Sequence, residues 1–183
     1  MGNTSNKLKE KQFLFLDRDG VINVHRPNDY VKNIDELEFL PGVFEALAIL
    51  SKRFNRIVIV TNQRGVSKGK LNEQTLHAIH EFMLSGIKEK GGRIDAIYYC
   101  TALHEDHPCR KPNGGMALQA KQDFPEIDFS QSIMVGDSKS DIEFGNRLGM
   151  TTVLIKKESP AYATLADFEY ASLFDFALSV ENE

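Results

Sequence analysis

Four apolar residues in a row, Phe13-Leu14-Phe15-Leu16, break at Asp17 into Asp17-Arg18-Asp19-Gly20. An unalternating apolar run of this length suits a strand buried on both faces of a parallel sheet. Asp17 and Asp19 would then stand at the carboxyl end of that strand, where open α/β sheets place their ligands. Two carboxylates so close resist joint ionisation, which predicts a bound cation or a shifted pKa. Taken alone, the stretch also reads as a helix cap or an acidic turn.

The rest of the chain repeats the arrangement. A long polar segment over Val24–Leu40 carries Asp29 and Tyr30, and a connection of that length without periodicity reads as a functional loop. Pro41-Gly42 opens a helix with Val43, Leu47 and Leu50 at helical spacing. Ile57–Val60 is a second buried strand, rich in β-branched residues, and it ends at Thr61-Asn62-Gln63. A basic loop, Arg64–Lys70, leads to a helix from Asn72, a fitting N-cap, to Lys90, with Gly91-Gly92 as its stop. Ile94–Cys100 reads as a third strand, followed by an irregular loop over Thr101–Asn113 that contains Arg110 and Lys111. After a helix from Gly115 to about Asp123, Ser132–Gly136 forms a fourth strand and delivers Asp137-Ser138-Lys139-Ser140-Asp141 into a further helix ending near Gly149. Thr151–Ile155 is a fifth strand, and the remainder is a C-terminal extension with an apolar segment over Leu173–Leu178.

Strands alternating with helices imply an α/β fold, a Rossmann-like parallel sheet with helices on both faces. No insertion is long enough for a sizeable cap domain. The expected organisation is a disordered, Lys-rich lead over residues 1–12 and a single domain over residues 13–183. A net charge of -4 gives no reason to expect nucleic acid or an anionic membrane as a partner. No apolar run approaches the ~20 residues of a membrane span, and the N-terminus lacks a signal-peptide core. Two cysteines, Cys100 and Cys109, are too few for a disulfide scaffold; a single bridge stays open, but the expectation is a cytoplasmic protein, and without a cap domain the default is a monomer.

Asp17, Asp19, Thr61, Asn62, Arg110, Lys111, Asp137 and Asp141 all lie just past strands or in the loops that follow, so one cleft should collect them. Carboxylates with room for water suit a hard cation, and Mg²⁺ typically takes few protein ligands plus phosphate oxygens. A cation, a lysine and a hydroxyl can together hold the equatorial oxygens of a phosphoryl group. One carboxylate can attack phosphorus, and its neighbour can protonate the leaving oxygen and later activate water.

Asp17-Arg18-Asp19-Gly20-Val21, Thr61-Asn62, Arg110-Lys111-Pro112 and Gly136-Asp137-Ser138-Lys139-Ser140-Asp141 together resemble the four ordered motifs of the haloacid dehalogenase superfamily of phosphatases. The likeness spans about Phe13 to Ile155. It implies Asp17 as nucleophile, Asp19 as general acid and base, Thr61 as a phosphoryl ligand and Lys111 as a charge stabiliser. It further implies Mg²⁺ on Asp17, the backbone carbonyl of Asp19 and Asp137, with Asp141 in support. Within the superfamily the chain looks most like the small phosphatases of the heptose-bisphosphate and histidinol-phosphate group. Val21-Ile22-Asn23, Asp29-Tyr30-Val31 and the run from Thr61 to Val66 with Gly69-Lys70 resemble the heptose side of that group. A sugar-phosphate substrate follows from the likeness, with Asn62, Arg110, Asp29, Tyr30 and Arg64 as substrate-binding candidates; histidinol phosphate is the alternative substrate. A binding module that kept the fold without catalysis would have had no need to keep both Asp17 and Asp19.

The same group often carries a zinc loop directly before its Arg-Lys-Pro. Here Cys100, His104, His107 and Cys109 precede Arg110, and four such ligands could complete a tetrahedral structural zinc site. The loop departs from the group's pattern, because Cys100 lacks the following x-His and His107 stands where a cysteine is usual. Two readings stay open: a Cys-His-His-Cys zinc loop, or a loop without metal in which Cys100 is core and the histidines are surface.

Overall fold

Among the described residues, six parallel strands lie in the order β3-β2-β1-β4-β5-β6. The structure is a computed structural model that describes residues 5–156, 161 and 163–181. The strands are β1 (Phe13–Leu16), β2 (Arg56–Asn62), β3 (Ala96–Cys100), β4 (Ser132–Gly136), β5 (Thr151–Ile155) and β6 (Phe168–Tyr170). The helices are α1 (Ser5–Lys9), α2 (Val43–Arg53), α3 (Glu73–Glu89), α4 (Gly115–Asp123), α5 (Lys139–Arg147) and α6 (Leu173–Glu181). β1 is central: Phe13 to Leu16 pair with Arg56 to Ile59 on one side and Ser132 to Val135 on the other.

The period of two along each strand sends alternate side chains to opposite faces, and here both faces are apolar. Leu14, Leu16, Ile57, Ile59, Ile133, Val135 and Val153 join Leu47 and Leu50 of α2, Ile79 and Met83 of α3, and Phe176 of α6 in one core layer. Phe13, Phe15, Val58, Val60, Tyr98 and Met134 face the other way, onto Met116, Ala117 and Ala120 of α4 and Phe144 of α5. Burial on both faces is why these strands read as unbroken apolar runs, each such side chain contributing about 1.5–3 kcal/mol.

The chain leaves β1 towards β2 and β3 on one side, then crosses to β4, β5 and β6 on the other. The crevice at the carboxyl ends of β1 and β4 is therefore the topological switch point.

Three features go beyond the sequence expectations. In the described part of the lead, α1 packs Leu8, 1 % exposed, into the first core layer, and Arg53 donates to the carbonyls of Leu8 (3.2 Å) and Lys11 (2.9 Å). Residues 1–4 of that lead lie outside the described residues. The C-terminal extension supplies β6 and α6, whose Phe176 is fully buried in the same layer as α2. Finally, β3 starts at Ala96, since Asp95 turns its carboxylate back to accept from the Ile57 backbone N–H (2.8 Å).

Candidate active site

Asp17 is the first residue past β1, anchored through its backbone N–H to the Val135 carbonyl (2.9 Å). The chain then turns at Gly20, which has φ +88°. A Cβ there would stand 2.1 Å from Oδ2 of Asp137, so only glycine lets the two strand-end loops approach this closely. Asp137 follows β4, and α5 begins with Ser138 as its N-cap. Asp141, one turn in, accepts from the backbone N–H (3.0 Å) and hydroxyl (2.6 Å) of Ser138, the reach-back half of a capping box.

Lys111 enters from the loop after β3 and is 3 % exposed. Its Nζ lies 2.7 Å from Asp17 Oδ1, 2.6 Å from Asp141 Oδ1 and 2.7 Å from the Val60 carbonyl. Burial works against its charge, but Asp141 and Asp17 outweigh that and hold its pKa above the ordinary lysine value. One ammonium is thus shared by two carboxylates, with Asp137 a third close by. The site is left short of positive charge, and it shows in the acids. Burial pushes Asp17 well above the usual carboxylate range; Lys111 opposes, while Asp141, Asp137 and Asp19 push further. Burial and then Asp141 raise Asp137 to about 6, against Lys156, His25 and Lys111.

Carboxylate oxygens of Asp17, Asp137 and Asp141 all lie within 4.8 Å of one another. Hard oxygen donors with surplus negative charge fit a divalent cation of the Mg²⁺ kind. Asp17 and Asp137 are the ones able to turn to it, since both oxygens of Asp141 are already engaged by Lys111 and Ser138.

Asp19 stands apart from that group. Arg18 donates to both its oxygens (2.9 and 3.0 Å), Asn23 Nδ2 to one (2.8 Å) and Gln63 Nε2 to the other (2.9 Å). Burial alone would raise its pKa, but the Arg18 charge and these hydrogen bonds outweigh it and hold the carboxyl below the ordinary value. Gln63 Nε2 also donates to the Thr61 hydroxyl (2.8 Å), linking the ends of β1 and β2.

The residues expected to bind substrate divide. Asp29, Tyr30, Arg64 and Arg110 line one cavity of about 500 Å³ with Asp17, Asp19, Thr61 and Lys111. Asn62 also lines it, but its amide is used on Lys111: Oδ1 accepts from the Lys111 backbone N–H (3.0 Å) and Nδ2 donates to its carbonyl (3.2 Å). It fixes the lysine's backbone. Arg110 is 8 % exposed, reaches the Ala102 carbonyl (3.4 Å), and leaves Nε without a partner among the described residues. Burial and nearby Arg64 lower its pKa, the signature of two crowded cations facing the cavity. Lys68, over the Tyr30 ring at 5.7 Å, and Lys70 extend this cationic rim. Arg18 and Gln63 stood inside the sequence motifs without a role assigned to them, and His80, discussed below, gave no signal beyond a histidine on a helix.

Three of the four zinc candidates, Cys100, His107 and Cys109, lie together. Cys100 and Cys109 are joined as a disulfide with Cα atoms 5.6 Å apart. His107 Nδ1 lies 3.1 Å from Cys109 Sγ, whereas His104 is outside the cluster. The loop is thus closed by sulfur here, with one imidazole beside it and the other candidate histidine apart.

Residues 108–175 match the HAD-hydrolase-like family. The chain is 39 % identical over 159 residues to the D-glycero-beta-D-manno-heptose-1,7-bisphosphate 7-phosphatase of Vibrio cholerae, covering 82 % of this chain and 84 % of that one. The chain belongs to this phosphatase family. The D-glycero-alpha-D-manno-heptose-1,7-bisphosphate 7-phosphatase of Campylobacter jejuni is 38 % identical over 145 residues, 79 % of this chain and 82 % of that one. In structure, the chain is similar to D,D-heptose 1,7-bisphosphate phosphatase from B. bronchiseptica complexed with magnesium and phosphate, with a TM-score of 0.83, 28 % identity, and coverage of 93 % and 98 %. The α/β fold without a large cap is thus that of the family, and the chain is a phosphatase. Among the described residues no helix is long and apolar enough to cross a membrane.

Proposed function

We propose that the chain is a Mg²⁺-dependent phosphomonoesterase that removes the 7-phosphate of D-glycero-D-manno-heptose 1,7-bisphosphate through a phosphoryl group carried on Asp17. The observation that carries the reading is the shared ammonium of Lys111, 2.7 Å from Asp17 and 2.6 Å from Asp141, opposite a separately held Asp19. Asp17, Asp137 and the Asp19 carbonyl would hold the metal, which when bound supplies positive charge against the phosphoryl oxygens.

An Asp17 carboxylate oxygen attacks phosphorus, and the ester P–O bond breaks. Lys111 and the Thr61 hydroxyl hold the equatorial oxygens where charge accumulates. A dianionic phosphoryl group beside Asp19 raises its proton affinity, so it carries the proton that the departing alkoxide receives. Water then attacks the phospho-aspartate, Asp19 takes its proton, and inorganic phosphate leaves Asp17 free.

The cationic rim of Arg64, Lys68, Lys70 and Arg110 supports a substrate with a second phosphate. It disfavours histidinol phosphate, whose ammonium group would meet like charge. Relatives named for the alpha and the beta anomer match at 38 % and 39 % identity, so the assay uses both. In this reading the loop before Arg110 is closed by the Cys100–Cys109 bond; about one zinc ion per chain in protein prepared without chelator would overturn that closure. The test of the mechanism is acid quench during turnover followed by mass spectrometry. A phosphoryl group on Asp17, lost together with all turnover in Asp17→Asn, is the expected result; full activity in that variant would end the assignment.

A further inference from the structure

Arg18 is the largest fully buried side chain among the described residues, at 1 % exposure. Burying a guanidinium is costly unless its hydrogen bonds are met. Its NH2 group straddles the two oxygens of Asp19, and its NH1 group lies 3.2 Å from Nε2 of His80. Arg18 can only donate, so the contact requires an unprotonated Nε2 on a neutral imidazole with its hydrogen on Nδ1. Burial, and then Arg18, hold the His80 pKa down to about 3, in keeping with that state. His80 sits on the buried stripe of α3 with Leu76, Ile79 and Met83, and its ring is 5.8 Å from that of Tyr99 on β3. It is therefore fixed by packing on the helix side and presents one acceptor to the guanidinium.

With one nitrogen on both Asp19 oxygens and another on His80, the plane of the guanidinium is fixed, and it sets the position of the carboxylate in front of it. Asn23 and Gln63, one on each oxygen, fix the rotation of the same carboxylate. Proton transfer is sensitive to heavy-atom placement of this order, because donor and acceptor must come within hydrogen-bond reach. We propose that Arg18 and His80 are positioning residues for proton transfer by Asp19, with the imidazole orienting the guanidinium and the guanidinium orienting the carboxylate. This rests on the assignment of Asp19 as the acid and base of the reaction.

A purely structural bridge from α3 to β1 would make the same contacts, so the test needs a readout that folding does not move. Phenyl phosphate needs its leaving oxygen protonated far more than 4-nitrophenyl phosphate does, and the two differ little in size. First-turnover rates on both, with Mg²⁺, isolate the bond-breaking step from the shared hydrolysis of the phospho-enzyme. In His80→Leu the rate on phenyl phosphate should fall at least about tenfold more than on the nitrophenyl ester, a fraction of the roughly 10²–10⁴-fold that general acids contribute. His80→Gln, whose side-chain oxygen can accept from Arg18, should recover most of the loss.

Equal losses on both esters, or none, would overturn the proposal. Should His80→Leu fail to fold by circular dichroism, Arg18→Lys gives the same reading, since an ammonium cannot straddle both oxygens while reaching His80. Asp19→Asn is the control that separates the two claims. If it discriminates between the esters while the His80 and Arg18 variants do not, positioning is wrong and the acid–base role stands. If it shows no discrimination, the acid–base role fails and the positioning proposal falls with it.

Discussion

Replacing Asp137 by Asn should stabilise the metal-free protein at neutral pH while removing its response to Mg²⁺. Asp137 has a folded pKa of about 6 against an ordinary value of 3.8, and its side chain is only 13 % exposed. The difference, about 2 units at about 1.4 kcal/mol each, corresponds to roughly 3 kcal/mol. The folded state binds more protons than the unfolded one between about pH 4 and pH 6, so stability falls as pH rises through that interval and stays lower above it. An amide at position 137 does not ionise, so the gap between variant and wild type should be small near pH 4 and complete above pH 6. For a chain of this size, where 1 kcal/mol moves Tm by about 2–4 °C, the variant should melt roughly 6–12 °C higher at pH 8 in chelator. Saturating Mg²⁺ should close the gap from the other side, raising wild type by about 2.7 kcal/mol at a hundred times Kd and leaving the variant unmoved. Thermal unfolding of both proteins from pH 4 to pH 8, with chelator and then with Mg²⁺, makes the measurement. A variant no more stable than wild type at pH 8 in chelator would refute the reasoning, as would a gap of the same size at pH 4.

Other expectations follow from the same geometry. Gly20→Ala combines a left-handed backbone, costing an L residue about 1–2 kcal/mol, with a Cβ 2.1 Å from Asp137 Oδ2; it should lower Tm and raise the Mg²⁺ concentration needed for half-maximal activity, and an unchanged Mg²⁺ titration would count against the packed switch point. Arg110→Ala removes a charge-assisted contact worth about 1.5–3 kcal/mol, so KM for a bisphosphate should rise by roughly 10–100-fold with little change for 4-nitrophenyl phosphate; equal effects on both would place Arg110 outside the rim's selectivity. Lys111→Met leaves three clustered carboxylates without their shared ammonium, so its thermal stability should depend on Mg²⁺ more steeply than that of wild type, a trend that differential scanning fluorimetry would show or exclude.

How far the sequence could be read depended on where each signal lives. β1, β2, β4 and β5 were legible because central strands covered on both faces have no need of polar residues, and the runs of β1, β2 and β4 stop abruptly where the chain reaches the cleft, at Asp17, Thr61 and Asp137. β6 left no such trace: it is three residues at the sheet edge, Phe168 to Tyr170, with no buried residue among them. The helix after it was visible only as an apolar segment, since its partner α2 is remote in sequence. The contact of Asn62 with Lys111 left no sequence signal, because its target is the backbone of a residue 49 positions away. His80 was hidden for the opposite reason: at helical spacing with Leu76 and Met83 it looks like any core-facing position, and only the fold brings Arg18 to it. Spacing alone could not tell two thiols that share a metal from two that bond to each other.

The central claim is most directly tested by phosphate release, with Mg²⁺, from both anomers of heptose 1,7-bisphosphate and from histidinol phosphate, with the product's remaining phosphate located by NMR. Release is expected from C7 of a heptose bisphosphate, with kcat/KM above that for histidinol phosphate by at least about 100-fold, the factor expected of roughly 3 kcal/mol from the rim's charged contacts. A preference for histidinol phosphate, or release from C1, would contradict it.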